Sequence, residues 1–256
     1  MIKIAIIGGR GHELPDYLTD VKELALDTPF GKAGPVIYSG KFNGMEVYHI
    51  PRHGTDQAIS PSKINYRANL YALKQLDCSH ILSISTCGSL QEEICPGECI
   101  ILDQFIDMTK QQVSGIHEEL APGERYVSLA EPFSEELRDH LIESAIVQGI
   151  TIHTKGIVIS IDGFRSSSRA ESNLYRKWGA DVINMTTAPE VILANELNIP
   201  YAALTLCIGY DSWRTGEAMQ AEQIKAIVAE NRDKINRLLI ETLQKIGQPS
   251  QGLIDA

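Results

Sequence analysis

The chain has 256 residues, 43% of them hydrophobic, and a formal charge of −10. That length suits one large α/β domain with a sizeable core. The acidic balance argues against a nucleic-acid partner, whose phosphate backbone wants a basic surface. No run of about 18 apolar residues reads as a membrane span. A small anionic ligand stays open, because a few local Arg and His side chains can hold an anion in an acidic protein. Met1-Ile2-Lys3-Ile4 enters an apolar strand directly and lacks the pattern of a signal peptide. The five cysteines, Cys78, Cys87, Cys95, Cys99 and Cys207, are odd in number and read as reduced thiols, so a cytoplasmic location is expected. Cys95 and Cys99 flank a Pro96-Gly97 turn with no second Cys/His pair nearby, and no metal site is expected.

Lys3 to Ile7 reads as a buried strand that ends in the tight turn Gly8-Gly9-Arg10-Gly11. Val47 to Ile50, bounded by Gly44 and Pro51, is a second strand. Ser62 is a candidate N-cap for a helix carrying Ile64, Ala68, Tyr71, Ala72 and Leu76. His80 to Ser85 is a strand leading into a loop, Thr86-Cys87-Gly88-Ser89. Ile100 to Leu102 follows as a strand, and 109–128 reads as a long loop of the kind that is often functional. Ser134 caps a helix. Ile157 to Ile161 is a strand before the loop 162–168, and a short helix starts near Arg169. Val182 to Met185 leads to a helix over 188–197, then a strand over 201–208. A last helix spans 221–246 with apolar residues along one face, and 247–256 reads as a frayed tail. Alternating strands and helices imply a mostly parallel sheet covered on both faces, in one domain over 1–246. Ligands of such sheets bind beyond the carboxyl ends of the strands. There the loops Gly8–Gly11, Arg52-His53-Gly54, Ser85–Ser89 and Thr186-Thr187 offer backbone donors, hydroxyls and guanidiniums, which suit an oxyanion. Read alone, Arg52-His53 is an ordinary surface pair.

The specific signal is a series of ordered blocks. They include Ala5-Ile6-Ile7-Gly8-Gly9, Asp27-Thr28-Pro29-Phe30-Gly31, Arg52-His53-Gly54, Pro61 to Asn69, Cys87-Gly88-Ser89-Leu90 and Asp103 to Asp107. Ser167 to Ser172 and Asp181 to Glu190 complete the series. It closely resembles the methylthioadenosine phosphorylase branch of the purine nucleoside phosphorylase family, over about residues 3–246. The resemblance implies a central mixed sheet, partly closed as a barrel and flanked by helices. It implies a homotrimer with sites near subunit interfaces, and reversible phosphorolysis of an N-glycosidic bond. Inorganic phosphate is then the co-substrate, and no metal or organic cofactor is needed. By the same resemblance Arg52, His53, Ser85 and Thr186 hold phosphate, with Ser167 beside it. Met185 packs on the ribose, and Asp211 lies near the base as the catalytic candidate.

Several departures fall on the site. Where the family usually has Gly-Gly-Thr-Gly, with the Thr touching phosphate, this chain has Arg10. A second guanidinium there joins the phosphate set, reaches a different anion, or fills the pocket. The family's Thr-Asp-Tyr-Asp run stands here as Ile208-Gly209-Tyr210-Asp211, so the carboxylate that assists base departure is replaced by Gly209. Glu-Gly-Pro-Arg-Phe becomes Asp162-Gly163-Phe164-Arg165-Ser166, which puts Ser166 where an aromatic stacks on the base. A His common five residues after the Arg of Arg-His-Gly is Gln57. These changes concentrate in base and sugar contacts and suggest a substrate other than methylthioadenosine. The alternatives are cleavage by water, a substrate that carries its own phosphate, or a non-catalytic ligand-binding relative.

Overall fold

The computed structural model describes residues 2–12, 14–110, 115–116, 127–216 and 220–248. Its central strand β1 (Lys3–Gly8) pairs in parallel with β6 (Met45–Pro51) on one side and β7 (His80–Ser89) on the other. Beyond β6 the ladder turns antiparallel through β5 (Ile37–Phe42) to the edge strand β2 (Thr19–Leu24). Beyond β7 lie β13 (Tyr201–Tyr210), parallel, then β8 (Cys99–Ile101), antiparallel, and β10 (Ile152–His153). The sheet forks at the end of β7, where Gly88 and Ser89 also pair with β12 (Val182–Asn184). From there β11 (Ile157–Ile161) and β9 (Gln104–Met108) continue the branch in parallel. A small hairpin, β3 (Asp27–Thr28) with β4 (Gly31–Lys32), stands apart. The sheet is thus mixed, as the resemblance implies, rather than mostly parallel.

Side chains alternate across a strand, and β1 shows the consequence. Ala5 and Ile7 join one apolar cluster, with Leu70 and Leu73 of α1 (Tyr66–Gln75) and Val191 and Leu193 of α4 (Thr187–Glu196). Ile4 and Ile6 join the opposite cluster, with Leu137 and Leu141 of α2 (Glu135–Val147) and Leu238 and Leu239 of α5 (Ala221–Gly247). A third cluster under the branch gathers Ile159, Ile161, Ile183 and Tyr175 of α3 (Arg169–Lys177). Each helix therefore buries one stripe against one face of the sheet.

Most expected elements lie close to their places. Ser134 accepts from Leu137 N, and Ser168 with Glu171 forms a full capping box at α3. Three expectations change. Asn65, not Ser62, caps α1, accepting from Ala68 N at 3.2 Å. Ser62 sits in a single 3-10 turn, Pro61–Lys63, and its hydroxyl is given to Gly163 O across the site. Residues 86–89 are strand rather than loop, because β13 and β12 pair with them. For the same reason β13 runs on to Tyr210. The strands β2 and β5 escape the sequence reading, since β2 is an edge strand whose side chains are almost all exposed, with no apolar alternation to read. Most of the expected loop at 109–128 and the tail from 249 lie outside the described residues. Among the described residues, no helix is long and apolar enough to cross a membrane.

Candidate active site

The parallel strands β1, β6, β7 and β13 end on one edge of the sheet, and a cavity of about 580 Å³ opens there. That volume suits a small molecule. Arg10, Arg52, His53, Ser85, Ser166, Ser167, Met185, Thr186 and Asp211 all line it. Gly209 does not, although its neighbours Ile208 and Tyr210 do. It sits just past a shift in register between β13 and β7.

Arg52 is not a surface residue: it is only 2% exposed. Its Nε donates to Glu190 Oε1 at 2.6 Å, and Nη2 reaches Glu190 Oε2 at 3.1 Å, Ser83 Oγ at 2.6 Å and Ile7 O at 3.1 Å. Nη1 donates to Ile84 O at 2.8 Å. A guanidinium has five N–H groups. These bonds occupy Nε–H, both Nη2 hydrogens and one on Nη1, leaving one Nη1 hydrogen for a ligand. Glu190 accepts further bonds from Ser83 Oγ and Tyr201 OH, each at 2.9 Å. Burial and the Glu190 charge push the Tyr201 hydroxyl well up, so it remains a donor. The buried charge pair is therefore compensated and satisfied, as burial demands. Glu190 closes the Asp181–Glu190 block, but no sequence signal marks its inward aim from α4.

The glycine turn is needed because the backbone runs against this network. A Cβ on Gly9 would stand 2.6 Å from Arg52 Nη1 and 2.7 Å from Ile84 O. One on Gly8 would stand 2.5 Å from His12 O and 2.6 Å from His49 Nε2. Both histidines are buried, and burial pulls His12 down to about 4 and His49 to about 3. His53 is likewise held at about 4, by burial first and then by Arg52. It is neutral at ordinary pH, and its Nδ1 lies 2.9 Å from Ile59 O. A carbonyl only accepts, so Nδ1 carries the proton and Nε2 is left as an acceptor.

Hydroxyls complete this floor. Ser85 Oγ lines the cavity and donates to Thr205 Oγ1 at 2.9 Å. Thr186 is the N-cap of α4 but its side chain makes no cap bond. The helix amides behind it are taken: Thr187 N donates to Asn184 Oδ1 at 3.4 Å and Ala188 N to Ser160 Oγ at 3.1 Å. Pro189 has no N–H. The α4 terminus thus offers a favourable dipole rather than free donors.

The opposite wall comes from the 162–168 loop and the end of β13. Asp211 is buried; it takes the Ser167 hydroxyl on Oδ2, and its amide donates to Ser89 O at 2.9 Å. Ser212 Oγ donates to Ser167 O at 2.6 Å, tying the two segments together. Met185 packs so closely on Gly163 that a Cβ there would meet its sulfur at 2.1 Å. Ser166 and Phe164 are exposed on this wall. Arg165 is turned to Glu171, with both Nη atoms 2.8 Å from its carboxylate. Arg169, Arg214 and Ile224 also line the cavity, and the sequence reading did not single them out as site residues. Among the described residues, no group of three or more His, Cys, Asp or Glu could hold a metal ion.

Known proteins are similar to this chain over nearly its whole length. A family model described as the phosphorylase superfamily matches residues 3–244. The S-methyl-5′-thioadenosine phosphorylase of Xenopus tropicalis is 43% identical, covering 96% of this chain and 89% of that protein. The Thermofilum pendens protein of the same name is 44% identical, over 96% and 92%. A solved methylthioadenosine phosphorylase from Schistosoma mansoni, in complex with adenine, superposes with a TM-score of 0.91 at 33% identity. That match covers 96% of this chain and 92% of the other.

Proposed function

Because the chain belongs to the phosphorylase superfamily, we propose that it cleaves the N-glycosidic bond of a purine or modified nucleoside with inorganic phosphate. It is a pentosyltransferase of the nucleoside phosphorylase type. The observation that carries this reading is the floor: a locked guanidinium with one N–H left over, a neutral His53 whose Nε2 can accept from a phosphate O–H, and the hydroxyls of Ser85 and Thr186. Those groups suit one tetrahedral oxyanion, and relatives named as phosphorylases use that class of co-substrate.

Phosphate is the nucleophile, so no protein nucleophile is needed. A phosphate oxygen bonds to C1′ as the C1′–N bond breaks, and the pentosyl group passes through an oxocarbenium-like state. The bond's electron pair leaves with the base, whose nitrogen takes up a proton. The products are the free base and a pentose 1-phosphate. Arg52, His53, Ser85 and Thr186 position the phosphate, and Ser167 lies beside it. Met185 packs against the pentose. Asp211, with one oxygen held by Ser167, presents the other to the departing base.

Specificity differs from methylthioadenosine in this reading. Gly209 supplies no carboxylate, Ser166 supplies no ring, and Asp211 is the one acid lining the cavity among the described residues. A homotrimer acting in the cytoplasm belongs to the same reading. The test is base release from a nucleoside panel, methylthioadenosine included, with and without phosphate. Release is expected only with phosphate and fastest on another nucleoside. Equal rates without phosphate would sink phosphorolysis, and methylthioadenosine as the best substrate would sink the changed specificity.

A further inference from the structure

The cavity's charge runs opposite to that of the chain. Five guanidiniums, those of Arg10, Arg52, Arg165, Arg169 and Arg214, line it against the single carboxylate of Asp211 among the described residues, in a chain carrying −10 overall. Two are compensated, Arg52 by Glu190 and Arg165 by Glu171. Arg214 lies over the Tyr210 ring at 4.0 Å. The guanidiniums of Arg10 and Arg169 have no hydrogen-bond or ion-pair partner among the described residues.

These cations lie at two depths. Arg52, Ser85 and Thr186 form a floor that is 2%, 3% and 6% exposed. Arg10 and Arg169 are exposed at the rim. Solvated arginines are common on surfaces, but the backbone of Arg10 is held in place. His12 N closes the turn onto Gly9 O at 3.1 Å. Gly11, at φ +78°, packs so tightly on α5 that a Cβ would stand 2.0 Å from Val228 Cγ1. Ile224 of α5 lines the cavity beside this turn. The chain thus fixes a strong, planar anion donor above a floor already furnished for phosphate.

We propose that the nucleoside itself carries an acidic group, a carboxylate or a phosphate monoester, and that Arg10 binds it at the rim while inorganic phosphate occupies the floor. This rests on the phosphorolytic reading. An inorganic phosphate on the floor meets the buried donors, and the exposed guanidinium is left for whatever the substrate extends toward the mouth. A charge-assisted, bidentate contact of that kind accounts for a preference of about tenfold or more over a neutral substituent.

The experiment compares adenosine-5′-carboxylic acid and adenosine 5′-monophosphate with adenosine and methylthioadenosine at saturating phosphate, in the native protein and in Arg10→Gln. The native protein is expected to show kcat/KM about tenfold or more in favour of the acids. In Arg10→Gln that ratio falls toward one. A native preference for neutral nucleosides overturns the proposal. So does a variant that keeps the acid preference while its KM for phosphate rises, since Arg10 then serves the floor. Titration calorimetry of the same four compounds separates the two readings. If none is cleaved, phosphorolysis of this class fails, yet an acid preference in binding that Arg10→Gln abolishes still supports the rim contact. Binding without such a preference overturns it.

Discussion

The floor and the rim of the cavity use the same side chain in opposite ways. On the floor, Arg52 is locked into Glu190, Ser83 and two backbone carbonyls, with one hydrogen to spare. At the rim, Arg10 has a fixed backbone and a guanidinium with no hydrogen-bond or ion-pair partner among the described residues. Buried charge has to be neutralised by the protein, and what remains is direction. Exposed charge is neutralised by water, which a ligand can replace. The floor therefore sets where an oxyanion sits, and the rim can select among substrates at small cost to folding.

The contrast is broken most severely by Glu190→Ala, which strands Arg52 where it is 2% exposed. A loss of about 3–5 kcal/mol in urea or thermal unfolding is expected. A melting temperature close to native would mean that the carbonyls and Ser83 suffice. Asp211→Asn comes next: Asn keeps an acceptor for Ser167, so the fold should hold while kcat falls by about 10²-fold or more. If kcat holds and only KM changes, Asp211 positions the base without assisting its departure.

Acid should loosen the ground behind the floor. His12 is held near 4, largely by burial, against an ordinary 6.5. Between those values the unfolded chain binds a proton that the native chain refuses, so stability falls as pH drops through this window and is fully present above it. The cost from His12 is about 3 kcal/mol by pH 4. His12→Leu should flatten the acid limb of stability against pH; an unaltered limb would assign it to other groups. The smallest effect is expected at the rim. Arg165 and Glu171 are 55% and 34% exposed, so Arg165→Gln should cost about 0.2–1 kcal/mol in chemical denaturation. A loss above about 2 kcal/mol would show that this pair braces the 162–168 loop as the Glu190 pair braces the floor.

Much of this was legible in the order of residues. Strand β1, the glycine turn after it, the cap at Ser134 and the long α5 follow from local rules of periodicity and capping. The site residues were marked by the family resemblance and by the departures from it, and all but Gly209 line one cavity. Ser62 was misread because a hydroxyl before an apolar run looks the same whether it caps a helix or reaches 101 residues along the chain to Gly163.

What the sequence by itself determined is the set of chemical groups and the alternation that places them at strand ends, because both depend on neighbours a few residues away. Tertiary structure alone decided that Arg52 is buried rather than on the surface, since Glu190 lies 138 residues further on. It alone decided that the α4 amides are already taken, and that Gly11, next to Arg10, packs against Val228. A charge's role depends on which partner and how much water surround it, and neither is a local property of the chain.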